Sequence, residues 1–226
     1  MTTRRRWLAW SGIALVLPAT ARLGALREAL AAGKIEKGVY RVRGDARVNG
    51  APAREGMDVK AGDVLTTGAA GEIVFVIGKD AMLVRGNARV EVSGRVGALV
   101  ASGLRIVTGA VLSVYSPGAR RALTVRTATI GIRGTAVYAE DMGDRAYVCT
   151  CYGTADIAVR DDPAVRETVK TEHHDQPRYV LGAGASTRIV KAPVINHSDA
   201  ELILLESLVG REPPFLESDD YVPGRY

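Results

Sequence analysis

The sequence predicts an all-β protein: an antiparallel β-sandwich or strand-stacking roll of about ten to twelve short strands, closed by a short C-terminal helix and an extended tail. Three observations carry this. Runs of β-branched and alternating apolar residues recur at about ten-residue spacing from Val39 to Val190. Turn signals separate them: Asn49-Gly50, Gly78-Lys79-Asp80, Gly86-Asn87, Ser93-Gly94, Pro117-Gly118 and Tyr152-Gly153. No amphipathic helical stretch intervenes inside that region, which argues against βαβ units.

The chain opens with a segment of different character. "TTRRRWLAW" is followed by an apolar run that ends before Pro18, and Ala19-Thr20-Ala21 offers an A-x-A cleavage site. Trp7 to Leu17 is 11 residues, well short of the roughly 20 that cross a bilayer. Residues 1–21 resemble a twin-arginine export signal, with Thr3-Arg4-Arg5-Arg6-Trp7-Leu8 supplying the paired arginines, the aromatic and the leucine. The mature protein is therefore expected to be periplasmic or secreted, without a transmembrane segment. Removing Arg4, Arg5 and Arg6 takes the 30 basic residues to 27 against 25 acidic ones, so the formal charge of +5 falls to about +2. With no dense basic stripe and only 2 Phe for base stacking, nucleic-acid binding is not expected.

Residues 22–37 contain the alanine-rich "LGALREALAAGK", a short helix or linker. The β region, 38–198, follows. Strands are expected at 39–43, 64–67, 72–77, 82–85, 88–92, 104–107, 110–114, 122–127, 135–140, 146–151, 155–159, 178–181 and 186–190, with 160–177 an excursion before the strand at 178. In "DAELILLESLVG" (199–210), Leu202, Leu205 and Leu208 share a helical stripe that starts at Ser198 or Asp199 and stops at Gly210. The last segment, 211–226, holds three prolines and an acidic cluster and reads as an extended tail.

Two stretches resemble a known family. Gly56, Gly62-Asp63, Thr67-Gly68 and Gly71 match the first half of a FecR-type domain, and "ALTVRTATIGIRGTAVYAED" (122–141) resembles its second-half signature through Ile132-Arg133-Gly134-Thr135. The likeness covers about residues 38–190 and implies a fold and an extracytoplasmic location. Better-known members are iron-signalling regulators with a cytoplasmic anti-sigma segment, a membrane helix and a further C-terminal domain. This chain is expected to carry an export signal instead, so the resemblance implies a free-standing binding or interaction module, not sigma-factor regulation. Its partner would be an envelope protein or a cell-surface ligand.

Within the signature, Gly131, Arg133, Gly134 and Thr135 read as a structural or ligand-binding turn. The glycines allow a sharp bend, and Arg133 could bond several carbonyls, pair with an acid such as Asp63, or hold an anion. The chain's 2 cysteines, Cys149 and Cys151, lie on one strand face with Cβ atoms about 6.6 Å apart, too far for a disulfide without a bulge. Their sulfurs can still converge on a metal ion. His173 and His174, in the excursion, are the candidate partners, giving a Cys₂His₂ set suited to zinc or copper. A buried structural pair or free thiols, and a disulfide, are the competing readings. No hydrolase, zincin or phosphate-loop motif is present, so no enzyme is expected. Cys149 paired with one of the histidines as a thiol redox enzyme is the remaining catalytic alternative.

Overall fold

A computed structural model of the protein describes residues 37–98, 101–118, 120–218 and 221–222. The expected export signal (1–21) and all but the last residue of the 22–37 segment lie outside the described residues. Among the described residues, 15 strands run from β1 (Gly38–Arg43) to β15 (Ile189–Lys191). A helix α1 (Asp199–Leu208) and a 3-10 turn at Pro214–Glu217 follow them.

The strands form one hydrogen-bonded network folded into two layers. The first layer runs β1, β5 (Glu72–Ile77), β6 (Asp80–Val84), the second half of β8 (Gly103–Val114), β11 (Ala136–Asp141), the first half of β12 (Arg145–Val159), β14 (Arg178–Leu181) and β15. The second runs β3 (Ala51–Pro52), β2 (Ala46–Val48), β4 (Val64–Thr67), β7 (Arg89–Ser93), the first half of β8, β9 (Arg120–Thr124), β10 (Ala128–Arg133), the second half of β12 and β13 (Arg166–Thr171). Every described pairing is antiparallel except β8 with β9, which is parallel.

Two strands thus belong to both layers, and each changes layer at a glycine. Gly109 in β8 has φ 78° and Gly153 in β12 has φ 88°. A Cβ on Gly109 would lie 2.6 Å from Ala88 Cα, and one on Gly153 would lie 2.6 Å from Thr135 Oγ1. Only glycine combines that backbone with that approach. The expected break at Tyr152-Gly153 is therefore a bend within one 15-residue strand, not a turn between two. The separate strands expected at 104–107 and 110–114 are likewise one.

Other elements also differ from expectation. Gly131, Ile132 and Arg133 belong to β10, and the chain turns only at Gly134, where φ is 65°. The excursion at 160–177 contains β13, whose half-buried polar alternation (RETVKT) hides its edge-strand character. The tail is not extended throughout, because Pro214–Glu217 forms a 3-10 turn that buries Phe215.

The core explains the solid apolar runs. Ile73, Phe75 and Ile77 of β5 point between the layers with Met82, Val111, Val148, Leu104, Ile130 and Ile157. Val74 and Val76, the alternate residues, point to the outer face of the first layer, beneath Leu202, Leu205 and Leu208 of α1. A strand covered on both faces has no polar side to alternate with. The helix begins where Ser198 N–H donates to Glu201 Oε2 at 3.1 Å, and Arg85 from the sheet holds Glu201 at 2.7 Å. Its leucine stripe, each side chain worth about 1.5–3 kcal/mol when fully buried, keeps it on the sheet.

Candidate metal centre

On that covered face the first half of β12 carries Cys149 and Cys151, both free and fully buried. The register against β11 slips between Ala136, opposite Tyr152, and Val137, opposite Thr150, so Cys151 is the extra residue of a β-bulge. The bulge turns Cys151 and Tyr152 alike to the outer face, beside Cys149. The bulged Cys151 carbonyl accepts the backbone N–H of His174 at 2.9 Å, which draws the segment after β13 over the two thiols.

Four side chains meet there. The ligating atoms of Cys149, Cys151, His174 and His197 all lie within 4.8 Å of one another, and all four residues are buried. His174 Nδ1 is 3.4 Å from Cys149 Sγ and 3.0 Å from His197 Nε2. The expected set named Cys149, Cys151, His173 and His174. The structure joins the first, second and fourth of these and puts His197 in the place of His173. His173 instead turns outward, stacks on Phe215 with ring centroids 4.4 Å apart, and approaches Asp199. His197 is the chain's third histidine and stands just before the helix start at Ser198, so the sequence offers it either as a further ligand or as part of the helix cap.

The outer nitrogen of each imidazole is held. His197 Nδ1 is 2.6 Å from the Ile195 carbonyl and His174 Nε2 is 3.2 Å from Asp199 Oδ1. A carbonyl can only accept, so His197 carries its proton on Nδ1, and the Asp199 carboxylate keeps that of His174 on Nε2. In neutral rings the lone pairs of His197 Nε2 and His174 Nδ1 then face each other at 3.0 Å. Such an arrangement is repulsive unless a proton or a cation lies between them. Two backbone positions at the site are also strained: His174 and Asn196 hold φ of 54° and 61°.

Without an ion, a proton serves. Burial disfavours the His174 cation, but Asp199 and the Cys149 thiolate outweigh it and raise its pKa to about 9. Burial likewise opposes the Cys149 thiolate, yet hydrogen bonds from Cys151, His174 and His197 hold its pKa well below the ordinary thiol value. Cys151 is pushed the other way, by burial and by its charged neighbour Cys149. The negative charge of the pair is thus favoured on Cys149 over Cys151.

The glycine-arginine signature lies apart from this centre. Arg133 Nη2 donates to Asp156 Oδ2 at 2.7 Å across to the second half of β12, and its side chain is 67% exposed. The expected partner Asp63 instead accepts from Asn49 Nδ2 and from the Lys60 backbone N–H. Asp156 sits below the ordinary carboxylate pKa because Thr168 and then Arg133 bond to it against its slight burial. Gly131 lies in register between Ala122 and Asp156. Thr135 is buried and abuts Gly153 at the layer change, and a Cβ on Gly134 would meet Pro117 Cα at 2.7 Å. These residues join strands; they do not line one site with the cysteines.

No protein-family model matches the chain, and no curated protein does. Among solved structures it is similar to a candidate anti-sigma factor from Parabacteroides distasonis ATCC 8503, in crystals at 2.50 Å and 1.65 Å resolution. The TM-scores are 0.46 and 0.45, each at 8% identity over 57% of this chain. The chain spans 58% of the length of the structures it matches. Among the described residues no helix is long and apolar enough to cross a membrane.

Proposed function

We propose that the protein is an exported, non-catalytic binding module that holds a zinc or copper ion between Cys149, Cys151, His174 and His197. One observation carries this reading: four nitrogen and sulfur donors lie within 4.8 Å of one another. The hydrogen bonds to Ile195 and Asp199 aim the imidazole lone pairs inward. Two thiolates and two imidazoles match the tetrahedral preference of Zn²⁺ and the soft-donor preference of copper. Asp199 and the Ile195 carbonyl are the outer partners that such imidazole ligands need for orientation.

A site closed by four protein ligands and roofed by a helix favours holding an ion over catalysis, which needs an open position. The thiol redox alternative requires a thiolate that substrate can reach, and Cys149 and Cys151 are 0% exposed. Export as a folded protein, the route that Arg4 and Arg5 suggest, would allow the ion to be loaded before translocation. The FecR-like motifs of residues 38–190 support an envelope protein or cell-surface ligand as the partner.

Metal analysis of untagged protein purified from the periplasm tests the reading. About one tightly held equivalent of zinc or copper is expected, lost in Cys149→Ser, His174→Ala and His197→Ala alike. Metal-free protein whose two thiols react only after unfolding would mean the cluster is packing.

A further inference from the structure

His174 offers a second nitrogen. Its Nε2, with His173 Nε2 and the Asp199 carboxylate, forms a second group of ligating atoms all within 4.8 Å of one another. Asp199 Oδ1 lies 2.8 Å from His173 Nε2 and 3.2 Å from His174 Nε2. An orienting carboxylate behind a metal-bound imidazole accounts for Oδ1. It does not account for Oδ2, which is buried on a side chain only 3% exposed and has no hydrogen-bond partner. A buried carboxylate oxygen without a donor is costly and points to a cation.

The surroundings differ from those of the inner cluster. His173 is 18% exposed and lines a cleft of about 460 Å³ with Tyr152, Glu172, Asp175, Phe215 and Tyr221. Phe215, stacked on the His173 ring, fixes its orientation. Three protein ligands and an opening to solvent describe an exchangeable divalent site, in contrast to the closed one beside it.

We propose that His174 bridges two metal positions, binding the inner ion through Nδ1 and an outer divalent cation through Nε2, with His173 Nε2 and the Asp199 carboxylate completing the outer set. The inference rests on the inner centre proposed above. Nitrogen and carboxylate donors suit Zn²⁺, Co²⁺ or Cu²⁺ at the outer position. As that ion binds, the proton on His174 Nε2 leaves to solvent through the cleft, and His173 changes tautomer, its proton passing from Nε2 to Nδ1 by exchange with solvent.

Titration with Co²⁺ separates the two positions, because only the inner one has thiolate ligands and a thiolate-to-cobalt absorption band. Metal-free protein should bind two equivalents, the thiolate band saturating with the first. His173→Ala should keep the band at full intensity and bind one equivalent. His173→Gln, a gentler change, should weaken the second ion at least tenfold without altering the first. A thiolate band with saturation of wild type at one equivalent would overturn the outer site and leave the inner centre standing, Asp199 then serving only to orient His174. Absence of the band would overturn both.

Discussion

The two halves of β12 belong to one strand and have opposite chemistry. From Ala146 to Tyr152 every residue is buried, because one face meets the other layer and the opposite face lies beneath α1 and the chain that follows it. From Thr154 to Val159 half-buried and buried residues alternate, so the outer face is partly open to solvent. The first half places two thiols and two imidazoles out of water. The second places Asp156 in a surface pair with Arg133. Neighbouring strands alone would not make this difference. The cover does, since a polar group gains a sharply shifted pKa only where solvent is excluded.

The most disruptive way to break the contrast is at the bend. Gly153→Ala places a methyl 2.6 Å from Thr135 Oγ1 at a φ of 88°, so β12 can no longer change layer without strain. A loss of about 3 kcal/mol is expected in denaturant unfolding, from backbone strain and overpacking together. Unchanged stability would show that the strand does not need the glycine to cross.

A smaller effect tests how the halves are tied together. Arg178 of β14 lies opposite Val148 in the first half, and Glu167 of β13 lies opposite Ile157 in the second. The two side chains pair at 2.6 Å. The Arg178 bond lowers the Glu167 pKa from its ordinary 4.5 against partial burial. A carboxyl with a depressed folded pKa contributes stability above its unfolded value and loses it as pH falls through the folded one. Glu167→Gln should therefore cost about 1 kcal/mol at neutral pH, and the difference from wild type should shrink towards zero well below pH 4.5. A difference that persists in strong acid would mean the pair acts through packing.

The smallest expected effect is on the second half. Arg133→Ala removes an exposed ion pair and should cost under about 1 kcal/mol, reduced further by salt. A larger loss would return Arg133 to the loop-pinning role that the glycine-rich signature suggested.

Much of this was legible locally. Alternation and turn residues located β1, β5, β7 and β11 nearly to the residue, and the helix start at Ser198 followed from its capping residues and leucine stripe. Short, polar and glycine-bearing strands escaped notice: β2 and β3 are too short for a periodic signal, β13 is polar on its exposed side, and the glycines at 131 and 134 made β10 read as a turn. The site was half legible. Cys149, Cys151 and His174 could be proposed together because the cysteines share a face and the histidines are few. Which of His173 and His174 faces the thiols could not be told, since adjacent residues in a loop point in directions that only the loop's path decides, and His197 reaches them from a separate segment.

By itself the sequence determined the fold class, the strand-forming runs and the stock of ligating side chains, because periodicity and residue chemistry act over a few neighbours. Tertiary structure decided the rest. A left-handed turn at His174 and a bulge at Cys151 aim two ligands at each other, and α1 brings His197 and Asp199 from the far end of the chain to meet them. Contacts between residues separated by 23 to 54 positions, such as His174 with His197 and Tyr152 with Glu206, depend on the whole path of the sheet, and no local signal encodes them.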